Sequence, residues 1–143
     1  MVHVPRVVIS QFALRQQHLT PDKMPYASIT SNVLKSSVDK AAASAAVAKT
    51  LEESFGFPAV FMMVELNLEV PMFLQLNEEP AAYVHARCIG RIDAERNPKT
   101  IAALTKTVSE QLKVPAERIY VVLEDITVGN WGAAGTTVIP PTK

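Results

Sequence analysis

The sequence predicts an α+β fold in which a βαβ unit occurs twice, giving a four-stranded sheet with two helices on one face. Strand-like and helix-like segments alternate in this order twice along the chain. The two halves also resemble each other: residues 56–66 read "GFPAVFMMVEL" and residues 113–124 read "KVPAERIYVVLE", with Pro58 and Pro115 separated by 57 positions. Because parallel βαβ crossovers are right-handed, both helices are expected on the same side of the sheet.

The first half has the pattern of a strand, a helix and a second strand. Residues 26–33 have strand composition, and Ser36 and Ser37 are the expected caps of a following helix. Residues 39–55 are rich in alanine, and residues 60–68 form a mostly apolar strand. The helix is expected to bury the side chains that recur every three or four positions: Ser44, Val47, Ala48, Leu51 and Phe55.

The second half repeats this order. Residues 81–90 are strand-like, Asn97 is the expected cap of a second helix, and residues 119–123 form a strand. Pro80 precedes its strand as Pro25 precedes the first one, 55 positions earlier. The expected buried side of the second helix is Ile101, Leu104, Val108 and Leu112.

The face of the sheet opposite the helices is predicted to need a cover. Residues 60–68 and 119–123 carry apolar side chains at both alternating positions, although Tyr83, His85 and Arg87 are expected to make the third strand polar on one side. An apolar sheet face is unfavourable in water and is most simply covered by another subunit. The pattern therefore predicts an oligomer.

Composition and charge exclude several classes of protein. The 143 residues contain 14 Lys and Arg against 14 Asp and Glu, which does not favour nucleic acid or an anionic membrane surface as a partner. Charged residues interrupt every apolar run before it reaches the roughly 20 residues that a membrane helix needs. The single cysteine, Cys88, excludes an internal disulfide and a thiolate zinc cluster. No metal or cofactor is expected.

Residues 1–24 differ in character from the rest. They contain three basic residues against one acid, Asp22, and their apolar residues keep neither a helical nor an alternating register. Three explanations stay open: a disordered tail, an organelle-targeting peptide that is cut off, and a start codon assigned upstream of the true one. The predicted domain is therefore residues 25–143.

Six short motifs follow one another along the predicted domain. They are Met24-Pro25 before a strand, "VPMF" at 70–73, "EPAAY" at 79–83, "IGRI" at 89–92, "VPAERIYV" at 114–121 and "GNWG" at 129–132. In this order they resemble the macrophage migration inhibitory factor and D-dopachrome tautomerase family of the tautomerase superfamily. The resemblance implies a homotrimer in which three sheets form a central β-barrel with the helices outside.

The resemblance also implies that Pro25 is catalytic when it is the first residue of the chain. An α-amino group titrates near 7.7–8.0, and enclosure in an apolar pocket lowers this pKa further, so the free prolyl nitrogen becomes a general base. Within a longer chain the same nitrogen belongs to an amide and has no basicity. The predicted activity therefore requires that the residues before Pro25 be absent or removed.

Other site residues follow from the same resemblance. Ile89 is expected to offer its backbone N–H to the substrate, and Tyr120 to reach the site from the neighbouring subunit. Two positions depart from the family: Phe57 replaces the lysine that binds the substrate carboxylate, and Val122 replaces an asparagine. A hydrogen bond to a charged group is worth about 1.5–3 kcal/mol, so carboxylates are expected to bind weakly. Further pocket walls are expected at Val128 and Val138, and Trp131 is expected to be either a pocket wall or an interface aromatic.

Two functions of different classes follow. The first is a keto–enol tautomerase acting on a small aromatic keto acid such as phenylpyruvate, or on dopachrome-type compounds. The second is a catalytically silent, cytokine-like trimer that binds a protein receptor. Either one is expected in the cytoplasm, with leaderless secretion as an open route, or in an organelle if residues 1–24 are a targeting peptide.

Overall fold

The computed structural model describes residues 25–138, so the expectations for residues 1–24 lie outside the described part of the chain. Four main strands alternate with two long helices. Their bounds are β1 Tyr26–Ser31, α1 Lys40–Phe55, β2 Met63–Asn67, β3 Ala82–Cys88, α2 Asn97–Leu112 and β4 Ile119–Asp125, followed by a small hairpin of β5 Gly132–Ala133 and β6 Thr136–Thr137. Short 3-10 helices span Lys35–Ser37, Ala59–Phe61 and Ala116–Arg118.

The four main strands form one mixed sheet in the order β2-β1-β3-β4. β1 runs parallel to β2, β3 runs parallel to β4, and the two central strands are antiparallel. Each parallel pair is joined by one helix, as βαβ connections require. The predicted α+β fold with a duplicated βαβ unit is confirmed.

The two halves repeat with a spacing of 57 residues. α1 and α2 have 16 residues each and begin at Lys40 and Asn97, which are 57 positions apart. At this spacing the counterpart of Pro25 is Ala82, the first residue of β3. The 55-residue interval between Pro25 and Pro80 is therefore not the repeat, because Pro80 lies in the loop before β3, where its carbonyl accepts a hydrogen bond from Arg118.

The buried side of each helix differs in part from the prediction. In α1, Val47, Leu51 and Phe55 are buried as expected, but Ser44 and Ala48 are only half-buried. The remaining buried positions of this helix are Ala43 and Thr50. In α2, Leu104, Val108 and Leu112 are buried as expected, but Thr100 takes the place predicted for Ile101, which is 36% exposed. The side chains at positions 100, 104, 108 and 112 recur every four residues and so form one stripe along the helix.

The starts of the two helices also correct the predicted caps. The side chain of Asp39 accepts a hydrogen bond from the backbone N–H of Ala42 and so caps α1. Ser36 and Ser37 instead lie in the preceding 3-10 turn. Asn97 is the first helical residue of α2 and not its cap, although its side chain accepts a backbone hydrogen bond from the preceding turn.

The prediction that the sheet face opposite the helices is apolar is wrong. The residues that alternate away from the helices are Tyr26, Ser28, Thr30, Met63, Glu65, Asn67, Tyr83, His85, Arg87, Tyr120, Val122 and Glu124. Most of them are polar, and Glu124 lies 2.9 Å from His85 and 3.2 Å from Arg87. The apolar residues expected there include Phe61 and Met62, which precede β2 in a 3-10 turn and do not belong to the strand.

The helix-facing side of the sheet and the two helices enclose the core. The sheet contributes fully buried residues from its two central strands, among them Ala27, Ile29, Val84 and Ala86. Cys88 forms no disulfide and is fully buried in this core. Neither long helix within residues 25–138 has the length and apolar character needed to cross a membrane.

Candidate functional site

A cavity of about 690 Å³ opens at the end of the sheet where β1 begins. Its walls come from the start of β1, from the 3-10 turn before β2, from β2 and from the segment of the β5 hairpin. The lining residues are Pro25, Tyr26, Phe61, Met63, Val64, Glu65, Trp131, Gly132 and Ala133. Pro25 and Trp131, both predicted from the sequence as site residues, are therefore brought together.

Pro25 is held in this cavity by the pairing of β1 with β2. Its side chain is buried, and its carbonyl accepts a hydrogen bond of 3.4 Å from the backbone N–H of Met63. Tyr26 is paired with Met63 in the parallel register, which places the start of β1 beside the start of β2. The residue that precedes β1 therefore lies where the chain enters β2.

A tyrosine and a glutamate form a pair on the wall of the cavity. The Tyr26 hydroxyl donates a hydrogen bond of 2.5 Å to Oε1 of Glu65. This hydrogen bond raises the pKa of Tyr26 above its ordinary value, with smaller contributions from desolvation and from the Glu65 charge. Arg87 lies over the Tyr26 ring, 5.4 Å from its centroid. Glu65 is the one residue of the described lining that carries a formal charge.

Phe57 lies behind the cavity. It is fully buried, and its ring centroid is 5.0 Å from that of Phe61, which lines the cavity. The position expected for a carboxylate-binding lysine is therefore occupied by an apolar ring packed on the cavity wall. Lys49, two turns earlier in α1, is exposed and does not line the cavity.

The remaining predicted site residues lie at different places in the chain. Ile89 is buried at the end of β3, and Val128 is 57% exposed in the segment after β4. Val138 is buried and donates its backbone N–H to the carbonyl of Trp131 at 2.9 Å, so it fixes the backbone of the tryptophan. Tyr120 is 60% exposed and lines a separate hollow of about 280 Å³ together with Phe73.

The loop between β2 and β3 is anchored by one buried arginine. Arg118 is 6% exposed, and its guanidinium donates to the carbonyls of Pro80 at 2.7 Å, Glu79 at 2.9 Å and Leu74 at 3.3 Å. Gln75, whose side chain also accepts from Arg118, has a positive φ of 53°. A non-glycine residue in this region is strained, so the arginine holds the loop in a shape that the chain would not adopt by itself.

Comparison with known proteins shows to which family this fold belongs. The family model of macrophage migration inhibitory factor (MIF) matches residues 24–139, most of the chain. The chain belongs to the MIF family. Similar curated relatives include the macrophage migration inhibitory factor homolog of Brugia malayi, 29% identical over 117 residues, and the macrophage migration inhibitory factor of Xenopus laevis, 28% identical over 114 residues. Each match covers 80% of this chain and 98% of the relative.

Solved structures of MIF proteins have the same fold. The homologue from Prochlorococcus marinus is 28% identical, with a TM-score of 0.71 over 79% of this chain and 98% of that one. The protein from Trichinella spiralis is 20% identical, with a TM-score of 0.74 over 78% of this chain and 98% of that one, and shows the likeness of the fold. The predicted family is confirmed.

Within this MIF fold, sequence reasoning missed the pair of Tyr26 and Glu65. These residues are 39 positions apart and meet because Glu65 is paired with Ser28, two residues after Tyr26 on the same face of the sheet. The alternation of side chains along each strand predicts which face they occupy. The register between the strands, which decides their contact, has no local signal in the sequence.

Proposed function

We propose that this chain, when it begins at Pro25, is a keto–enol tautomerase of small aromatic carbonyl compounds, with phenylpyruvate and dopachrome-type molecules as substrates. The observation that carries the proposal is the position of Pro25 in the wall of the 690 Å³ cavity. Phe61, Met63 and Trp131 give this cavity apolar and aromatic walls that suit an aromatic ring. Membership of the MIF family supports the same reaction.

The proposed chemistry uses the prolyl nitrogen as a general base. A free α-amino group titrates near 7.7–8.0, so the prolyl nitrogen has an uncharged fraction at neutral pH. Burial against Phe61 and Trp131 enlarges this fraction, whereas the Glu65 carboxylate in the same lining opposes the enlargement. The nitrogen takes a proton from the carbon next to the substrate carbonyl while the electron pair moves to the carbonyl oxygen. The same proton then passes to that oxygen and gives the enol, and the reverse sequence restores the ketone. No electrons are exchanged with another molecule, and the step needs no cofactor.

The site as proposed requires a start of the mature chain at Pro25. The family match begins at Met24, which supports translation from Met24 followed by removal of that methionine. Cleavage of a longer precursor would produce the same amine. In a chain that keeps residues 1–24, the Pro25 nitrogen is acylated and the proposed base does not exist.

We further propose that the active form is a trimer. Tyr120 is exposed and does not line the cavity of its own chain, which fits a role at the cavity of a neighbouring subunit. Light scattering coupled to size-exclusion chromatography should give three times the subunit mass. The mass of one subunit at working concentration would contradict this assembly.

A partner-binding role is the second candidate. Phe57, buried where the family has a carboxylate-binding lysine, favours it, since a site without that cation loses affinity for keto acids. In this alternative the trimer is catalytically silent and contacts a protein receptor. We propose the cytoplasm as its compartment, as for the enzyme.

One experiment distinguishes the two functions. Enolisation of phenylpyruvate is measured with three proteins: the chain beginning at Pro25, its Pro25→Gly variant, and a chain with one alanine inserted before Pro25. The inserted alanine keeps the ring and its position but turns the nitrogen into an amide. We expect both changes to lower the rate by about 100-fold or more, the usual contribution of a general base. Equal rates for all three would exclude the enzyme, and mass analysis of the native N-terminus would show which form exists.

A further inference from the structure

We propose that the Pro25 cavity selects carbonyl compounds that lack a carboxylate group, so that esters and amides are bound and turned over in preference to the corresponding acids. The residue that makes this selection is Glu65, which lines the cavity. The inference rests on the proposed tautomerase for its reaction, but its binding part can be tested without turnover.

The described wall of the cavity carries one formal charge, and it is negative. Glu65 contributes a carboxylate, and no lysine or arginine belongs to the described lining. The position at which a lysine would neutralise an anion holds Phe57, whose side chain is fully buried behind Phe61. A carboxylate ligand would therefore meet a like charge with no lysine or arginine in the described lining to offset it.

The Glu65 carboxylate is held in place. The Tyr26 hydroxyl donates to its Oε1 at 2.5 Å, and both side chains belong to the cavity wall. A glutamate on a free strand surface can turn into solvent, but this one is fixed by a partner on the neighbouring strand. A fixed charge cannot easily move away from an approaching anion.

Glu65 forms no ion pair within the described part of the chain. Arg87, which lies over the Tyr26 ring, directs its Nε to Glu124 at 3.2 Å. Arg91, whose guanidinium lies beside Gly56 at the end of α1, is not part of the cavity lining.

The neutral part of the wall defines the rest of the ligand. Phe61 and Trp131 provide aromatic surfaces. Gly132 and Ala133 also line the cavity and have small side chains. The Tyr26 hydroxyl and the second oxygen of Glu65 are polar groups at which a ligand hydroxyl or amide N–H can bind. The cavity therefore fits an aromatic carbonyl compound with neutral polar substituents.

The kinetic test compares phenylpyruvate with its methyl ester, using the chain that begins at Pro25. We expect kcat/KM to favour the ester by about 5-fold or more, because Glu65 is exposed and a like charge at about 4 Å disfavours a second anion by roughly this factor in water and by more where the cavity wall excludes water. Glu65→Gln, which keeps the shape of the side chain, should reduce this preference at least threefold. Glu117→Gln, an exposed glutamate outside the cavity, is the matched control and should leave the preference unchanged.

The binding test uses cinnamate and cinnamamide, which have the same shape but differ in charge and do not tautomerise. Calorimetric titration should show tighter binding of the amide, and Glu65→Gln should bring the two affinities together. This result does not depend on turnover. If the chain is inactive, the proposed tautomerase activity is rejected while the proposed binding preference is still supported. Equal affinities in the wild-type chain, a preference for the acid, no binding of either ligand, or an unchanged ratio in Glu65→Gln would overturn the inference.

Discussion

The Thr50 and Thr107 hydroxyl oxygens lie 2.6 Å apart, and the two residues are separated by 57 positions. This separation equals the offset between the starts of α1 and α2. The two threonines therefore occupy the same position in the two halves and meet where the helices pack together. The hydrogen bond joins a residue to its own counterpart in the repeat.

The threonine pair predicts an unequal response to two similar substitutions. Thr50 Oγ1 also lies 3.0 Å from the Ala46 carbonyl, to which it donates, so that Thr107 supplies the proton of the shared bond. Thr50→Val is expected to lower the free energy of unfolding by about 1 kcal/mol, because the half-buried hydroxyl of Thr107 loses its partner. Thr107→Val should lower the free energy of unfolding by less, because the Thr50 hydroxyl keeps its hydrogen bond to the Ala46 carbonyl.

Urea denaturation at fixed protein concentration measures both threonine variants and the double variant. The double variant should be less destabilised than the sum of the two single ones, by about 1 kcal/mol, because the same bond is removed in each case. Strictly additive losses would show that the two hydroxyls do not interact in solution.

A second prediction concerns the arginine that anchors the loop between β2 and β3. Arg118→Ala leaves the carbonyls of Leu74, Glu79 and Pro80 without their donor, so the free energy of unfolding should fall by about 2–4 kcal/mol. Arg118→Lys keeps the charge but not the planar set of donors and should recover only part of this loss.

The control for the loop anchor is Lys106→Ala. Lys106 is 76% exposed and pairs with Glu110 one helical turn away. Exposed ion pairs of this kind stabilise a protein by about 0.5 kcal/mol or less, so the free energy of unfolding should barely change. If Arg118→Ala lowered the free energy of unfolding by no more than this control, the shape of the loop would not depend on the arginine.

A third prediction concerns the ionisation of Tyr26. The hydrogen bond to Glu65, followed by desolvation and the Glu65 charge, raises the Tyr26 pKa above its ordinary value of 10.0. A difference between the ultraviolet titrations of the wild-type chain and Tyr26→Phe isolates this residue. Glu65→Gln should move the Tyr26 transition to lower pH, and an unmoved transition would mean that the carboxylate is not its partner.

The sign of the pH effect on stability follows from the same shift. Because the folded chain holds the tyrosine proton more tightly than the unfolded chain, the stabilisation is fully present below pH about 10. It is lost as the pH rises through the raised pKa of the folded state. Denaturation of the wild-type chain and of Tyr26→Phe should therefore give a constant difference at neutral pH and a shrinking difference in strong alkali.

The fold could be predicted from the sequence because its signals are local. Alternation marks the strands, and the three-to-four periodicity marks the helices. Exact positions were less predictable: the cap of α1 is Asp39 and not Ser36 or Ser37, and the buried stripe of α2 includes Thr100 and not Ile101. A shift of one residue along a helix turns a side chain by about 100°, which composition alone does not resolve.

The sheet face opposite the helices shows why an apolar pattern can give a wrong prediction. The apolar run before β2 suggested side chains on both faces, but Phe61 and Met62 belong to a 3-10 turn and its end. With the strand beginning at Met63, Val64 and Leu66 face the helices and Glu65 faces the other side. The strand boundary, and not the composition, decides the polarity of the face.

By itself the sequence determined the order of strands and helices, because periodicity within each segment marks them. It also determined the internal repeat and the family, because these depend on similar segments and motifs in a given order along the chain. The tertiary structure decided that Glu65 lies with Pro25 in one cavity, that Tyr26 holds it there, and that Phe57 is buried behind Phe61. The contact of Tyr26 with Glu65 depends on the register between strands far apart in the chain, and a one-residue change of register would turn each side chain to the opposite face. The contact of Phe57 with Phe61 depends on the turn between α1 and β2.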